Sequence, residues 1–201
     1  VRDSNWARLD KNGLDVLSKE WLEHRQMLFE SICLPSVQAQ DSRDFEWLVL
    51  FDKYTPLSIY DYPEYTPILC GSNWLTKLQW LLKGDQCTIT TRLDNDDAIA
   101  PNFISSVRAV SKQRNMLIDA PHGYKVTATG CYRAKIPYGP FMSRVECGKV
   151  DTVYAVTHGD GAKALNLPVK TIKAEWAQTL HTRNLINHST DGPKVQGPSW
   201  F

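Results

Sequence analysis

The run "TITTRLDNDDAIAPNF", Thr88 to Phe103, gathers three carboxylates, Asp94, Asp96 and Asp97, into four positions directly after a β-like stretch. Like charges this close repel one another, so the cluster is either a solvated turn or a ligand set for a cation. Carboxylate oxygens are hard donors that suit Mg²⁺ or Mn²⁺ rather than zinc. An ion held by one or two carboxylates keeps positions open for water and phosphate oxygens, which suits activation of a diphosphate leaving group. An EF-hand loop is excluded, because the glycine and the distal glutamate are not at the required spacing. A two-metal nuclease also gathers aspartates at strand ends and is a rival chemistry. The formal net charge of +1 and the lack of a basic track argue against it and against nucleic acid as a partner.

Such a turn has to be positioned by its neighbours. "LDVLSKEWLEHRQMLFESICLPSV" reads as a helix, with Leu17, Trp21, Leu28 and Ile32 on one face and Pro35 as its stop. "FEWLVLFD" follows, and its unbroken apolar run Trp47 to Phe51 predicts a strand buried on both faces. "KYTPLSIYDYPEYTP" reads as loop, Asn73 can cap a helix over "WLTKLQWLL", and "CTITTRL" gives a second strand. Strand, helix, strand in this order predicts a parallel unit with a right-handed crossover. Asp52 and Asp94 would then stand at the carboxyl edge of one sheet, where ligands bind in open parallel sheets. "PNFISSVRAVSKQR" predicts a further helix, "MLIDA", "YKVTATGCY" and "DTVYAVT" predict strands, "AEWAQTLHTRNLINH" a late helix, and the tail a loop.

With 201 residues, 42% apolar and 22% charged, the chain has the composition of one soluble globular domain. No apolar run approaches the roughly 20 residues that span a bilayer. The five cysteines are odd in number and contain no C-x-x-C, which predicts reduced thiols in a cytosolic protein. The fold class expected is α/β: a single domain over 1–201 with a mostly parallel central sheet flanked by helices.

Three stretches in order, "WLEHRQMLFESICLPSVQAQDSRDFEWLVLFDKYTP", "TTRLDNDDAI" and "EWAQTLHTRNLINH", resemble the putative rhamnosyl transferase family, nucleotide-sugar glycosyltransferases with the GT-A fold. The resemblance runs from about Trp21 to about His188 and is loose in the middle, through "PFMSRVE" and "VTHGDG". It implies a nucleotide-sugar-binding half at about 14–110 and an acceptor half at about 111–190. It implies a D-x-D turn in which Asp94 and Asp96, with His181 from the late segment, hold Mn²⁺ or Mg²⁺. Asp52, Arg92, Asp94 and Asp97 would contact the sugar nucleotide, and Glu146 or else Glu175 would be the catalytic base of an inverting transfer.

The partners implied are a nucleotide-diphosphate sugar, with rhamnose suggested by the family's name, and a glycan or lipid-linked acceptor. The setting implied is the cytoplasm or the inner face of a membrane, with peripheral association left open. The first strand of such a fold is not legible before the first helix, and the sequence starts at Val1 without a Met, as a trimmed chain would. A non-catalytic carbohydrate- or nucleotide-binding module on the same fold is the alternative.

Overall fold

The computed structural model describes the chain apart from residues 1–9, 11, 14, 17, 53–54, 56–62, 83–85, 113, 182–189 and 191. Helix α1 (Lys19–Leu28) is capped by Ser18, whose hydroxyl accepts from Trp21 N at 3.3 Å. The helix does not stop at Pro35. It widens into a π-turn over Phe29–Cys33 and continues as α2 (Leu34–Gln38). Leu34 N–H donates to Phe29 O, five residues back, and this wider turn passes over a proline that has no N–H to offer.

Strands β1 (Leu48–Asp52) and β2 (Thr66–Cys70) pair in parallel as a two-stranded sheet. Helix α3 (Trp74–Leu81) precedes β3 (Cys87–Thr91), β4 (Ala98–Ile99), α4 (Phe103–Val110) and β5 (Met116–Asp119). The second half carries β6 (His122–Thr127), β7 (Gly130–Lys135), β8 (Ser143–Cys147), α5 (Asp160–Ala164), β9 (Val169–Thr171), β10 (Trp176–Thr179) and β11 (Lys194–Val195).

These strands overturn the expected fold class. Among the described residues they form three sheets, in the orders β1-β2, β11-β7-β6-β10-β4 and β3-β8-β5-β9. The two larger sheets are mixed, with β3 and β5 both antiparallel to β8, and β6 antiparallel to β7. Among the described residues there is no mostly parallel sheet flanked by helices. The expected strand–helix–strand unit fails because β1 takes β2 as its partner, a strand that begins on the last two residues of the stretch read as loop. Helix α3 buries Leu78 and leaves Trp80, on its opposite face, 73% exposed. Asp52 therefore ends β1, while Asp94 lies three residues past the end of β3, in a different sheet. Both larger sheets draw strands from before and after residue 110, so the two halves interleave.

Two further elements differ from their sequence pattern. "DTVYAVT" is a 3₁₀ turn over Val153–Ala155, because side chains take up the donors a strand would give to a neighbour. Glu146 accepts from Asp151 N at 3.0 Å and from Thr152 N at 2.8 Å, and Thr152 Oγ1 accepts from Tyr154 N at 3.2 Å. "AEWAQTLHTRNLINH" begins as β10, not as a helix; its residues 182–189 lie outside the described ones. Trp176, Ala177, Gln178 and Thr179 are all buried, which a strand between β6 and β4 allows and a surface helix does not. The tail adds the short edge strand β11, antiparallel to β7.

The main core surrounds Trp176, which is fully buried and stacks on Phe141 at 4.5 Å and 7°. Its indole N–H donates to Ala120 O at 2.6 Å. Gly123 makes this possible, since a Cβ there would stand 2.3 Å from the Trp176 ring. A second core packs Phe29, Cys33 and Leu34 against Phe51 and Tyr65, and Leu93 reaches both cores. The expectation of five reduced thiols is corrected by a Cys87–Cys147 disulfide across register partners of β3 and β8, with the Cα atoms 4.0 Å apart. Sixty residues separate the two cysteines in sequence, and only strand pairing brings them together. Cys33, Cys70 and Cys131 are free and buried. No helix among the described residues is long and apolar enough to cross a membrane.

Candidate functional site

The acidic turn joins β3 to β4. Leu93 anchors it between the two cores, and Asp97 N–H closes it onto Asp94 O at 3.1 Å. Alternate side chains leave the turn in different directions, so the three aspartates acquire three environments.

Asp97 points inward and is 3% exposed. Its Oδ1 accepts from Thr179 N at 2.9 Å, tying the turn to β10. Burial, and then the charges of Asp96 and Asp94, push its carboxyl well above the usual range. It supports the turn rather than facing a ligand.

Asp96 is also buried, but it faces cations. Its Oδ2 accepts from Arg25 Nη1 at 2.6 Å and stands 3.0 Å from His181 Nε2. Burial alone would raise this carboxyl; the His181 hydrogen bond and the Arg25 charge outweigh it and hold the group at about 2. His181 Nδ1 is 3.4 Å from His24 Nε2, and Arg25 also donates to Asn95 Oδ1. The Arg25 guanidinium lies 5.5 Å from the centre of the Trp21 ring. Arg25 Nε–H and the Trp21 indole N–H are buried without a hydrogen-bond partner among the described residues. Unpaired buried donors are costly, and an oxyanion-bearing ligand reaching Arg25 would relieve that cost. Cys33 lies beneath the turn, its thiol pushed up by burial and then by the three aspartates, so it is inert.

Asp94 turns the other way, to Arg92 Nε at 3.4 Å, and remains 41% exposed. Arg92 sits 5.3 Å from the centre of the Tyr154 ring, and Tyr154 meets Trp74 edge-on at 5.7 Å. Burial and the Asp94 charge raise the Tyr154 phenol, while burial and Arg92 lower the His158 imidazole. Arg92 thus lies between the part-exposed Asp94 carboxylate and the Tyr154 ring.

Of the expected metal ligands, Asp96 and His181 meet and Asp94 does not join them. Among the described residues no group of three or more His, Cys, Asp or Glu side chains is arranged to hold a metal ion. The Asp96–His181 pair nonetheless suits a divalent ion chemically. Two donors each about 2.1 Å from an octahedral ion stand about 3 Å apart, and Oδ2 and Nε2 are 3.0 Å apart. An ion bound there would draw its other ligands from water and phosphate, and would compete with Arg25 for Oδ2.

The two expected bases lie elsewhere. Glu146 is opposite Thr88, four residues before Arg92 along β3, hence about 13 Å from the turn. It is 2% exposed and bound to Arg144 Nη2 at 2.8 Å as well as to the two backbone amides. Glu175 pairs with Arg133 and accepts from Tyr124 OH at 3.2 Å. Asp52 closes β1 opposite Cys70 and is buried.

His24 and Arg25 read by default as structural or solvent-facing residues of the first helix, and Asn95, Thr179 and Tyr154 carry no signal in the sequence. On α1, Trp21, His24 and Arg25 occur at the i, i+3 and i+4 spacing of one helical face, but nothing in the sequence says that this face meets the acidic turn. Residues 8–62 match the model of the family described as putative rhamnosyl transferase. The match includes Trp21, His24, Arg25 and Asp52 and stops short of the acidic turn. No curated protein matches the chain, and no solved structure does.

Proposed function

We propose that this chain carries the donor site of a glycosyltransferase, moving a sugar, rhamnose by the family's name, from a nucleotide diphosphate to an acceptor hydroxyl. One observation carries the reading. The family-matched segment delivers Arg25 onto Asp96 of an acidic turn that lies outside the match, with Trp21 beside Arg25 and His24 against His181. A guanidinium with a spare N–H, an indole N–H and a second arginine at the opposite end of the turn are donors suited to a diphosphate. Asp96 orients Arg25 and His181, and the buried Asp97 fixes the turn against β10 so that these groups stay in place.

Asp96 and His181 would hold Mn²⁺ or Mg²⁺, which when bound supplies positive charge for the departing diphosphate. In the transfer, the acceptor oxygen bonds to the anomeric carbon as the bond from that carbon to the diphosphate oxygen breaks. The electron pair leaves with the nucleotide diphosphate, and the hydroxyl proton is released. Arg25 and Arg92 take up leaving-group charge from opposite sides of the turn. The Cys87–Cys147 disulfide favours an oxidising compartment over the cytoplasm.

The test is a panel of sugar nucleotides, with and without Mn²⁺, read by thermal shift and by nucleotide release. Stabilisation with slow hydrolysis, both lost in Arg25→Gln, is expected. Stabilisation by free glycans alone, indifferent to EDTA and to Arg25, would leave only a binding module.

A further inference from the structure

A groove of about 470 Å³ opens beside the acidic site and shares Thr179 and His181 with it. Ile32 and Pro35 of the α1–α2 helical segment form one wall, and Val126, Leu180, Trp200 and Phe201 line the rest. Trp200 packs edge-on against Phe201 at 6.1 Å and against Tyr124 at 6.4 Å. Among the described residues that line it, His181 is the one ionisable side chain.

The hydroxyl protons of the groove are already given to the protein's own backbone, which leaves these side chains only acceptor lone pairs for a ligand. Ser31 donates to Met27 O at 2.6 Å, Ser36 to Cys33 O at 2.8 Å, and Thr127 to Gly130 O at 3.1 Å. Thr179 donates to Asp96 O. A polyhydroxylated glycan lying here would leave water and find few donors for its many oxygens, which is costly. An alkyl chain forfeits nothing polar and gains contact with the aromatic and aliphatic walls. The volume is within the range of small-ligand sites.

Resting on the transferase reading, we propose that this groove is the acceptor subsite and takes the aliphatic chain of an alcohol, its hydroxyl presented at the His181 end beside Asp96. The acceptor is then of the lipid class, not a free glycan, and Ile32, Trp200 and Phe201 select it by chain length.

The experiment titrates the whole chain with 1-hexanol, 1-octanol and 1-decanol below their solubility limits, and with glucose as the polar control. The indole N–H resonance of Trp200, assigned by its loss in Trp200→Phe, reports binding. Affinity is expected to rise about fourfold per added methylene. Ile32→Asp, and separately Phe201→Ser at a half-exposed position, should flatten that rise while melting curves remain cooperative. Equal affinity across the three alcohols, glucose binding at the same concentrations, or a rise that survives both substitutions would overturn the proposal. So would sedimentation showing a dimer whose dissociation is what uncovers Trp200. Chain-length selection without turnover of any sugar nucleotide would keep the groove and remove the transferase. Transfer to a soluble glycan with no alcohol binding would do the reverse.

Discussion

Asp96→Asn keeps the shape of the side chain and removes its charge, leaving Arg25 and His181 facing a neutral amide. The Asp96 carboxyl sits at about 2 against an ordinary 3.8. Slightly under two pH units at 1.36 kcal/mol each gives about 2 kcal/mol of net stabilisation of the charged form. The sign follows from a folded value below the unfolded one. The contribution is present above pH 3.8 and disappears as the pH falls through 3.8 towards 2. Loss of the Asp96 charge also relieves the buried Asp97, so about 2 kcal/mol is an upper bound.

Urea unfolding in EDTA at pH 7 should show the variant less stable by up to this amount. For an m-value near 2 kcal/mol/M, that is a midpoint shift of about 1 M. At pH 3 about half of the difference should remain. A gap of the same size at both pH values, or none at pH 7, would refute the idea that the charge of Asp96 is what its partners stabilise. It would reduce the cluster to packing.

Four other outcomes follow from the same geometry. Arg25→Gln frees Asp96 Oδ2 and removes a competing cation, so Mn²⁺ affinity by calorimetry should rise about tenfold; an unchanged affinity would place the ion elsewhere. Glu146→Gln should lower stability through the Arg144 and backbone contacts yet leave nucleotide release per folded molecule within about twofold, and a collapse of turnover with intact folding would restore Glu146 as base. Cys87→Ser opens a link across a separation of 60 residues, worth about 4 kcal/mol in loop entropy; dithiothreitol should lower the wild-type melting temperature likewise and leave the variant unmoved. Gly123→Ala drives a methyl to 2.3 Å from the Trp176 ring and should cost about 3 kcal/mol, read by thermal melting and by loss of the near-ultraviolet signal of the stacked Trp176–Phe141 pair.

Local signals in the sequence sufficed wherever residues act on their chain neighbours. The first helix from Lys19 onward, β3 and α4 follow from periodicity, β-branching and a leading proline, and the crowding of Asp94, Asp96 and Asp97 is visible whatever the fold. Sequence could not decide which strand pairs with which. The apolar run of β1 reads the same whether it enters a large parallel sheet or a two-stranded one, and WAQT of β10 reads as helix until β6 and β4 are seen on either side of it. Pairing depends on contacts between residues far apart in the chain, and the same apolar residues satisfy several arrangements. For that reason tertiary structure alone set Arg25 and His181 on Asp96, turned Asp94 to Arg92, joined Cys87 to Cys147, and carried Glu146 to the far end of β3. The charges of the site were written in the sequence; their partners were chosen by packing.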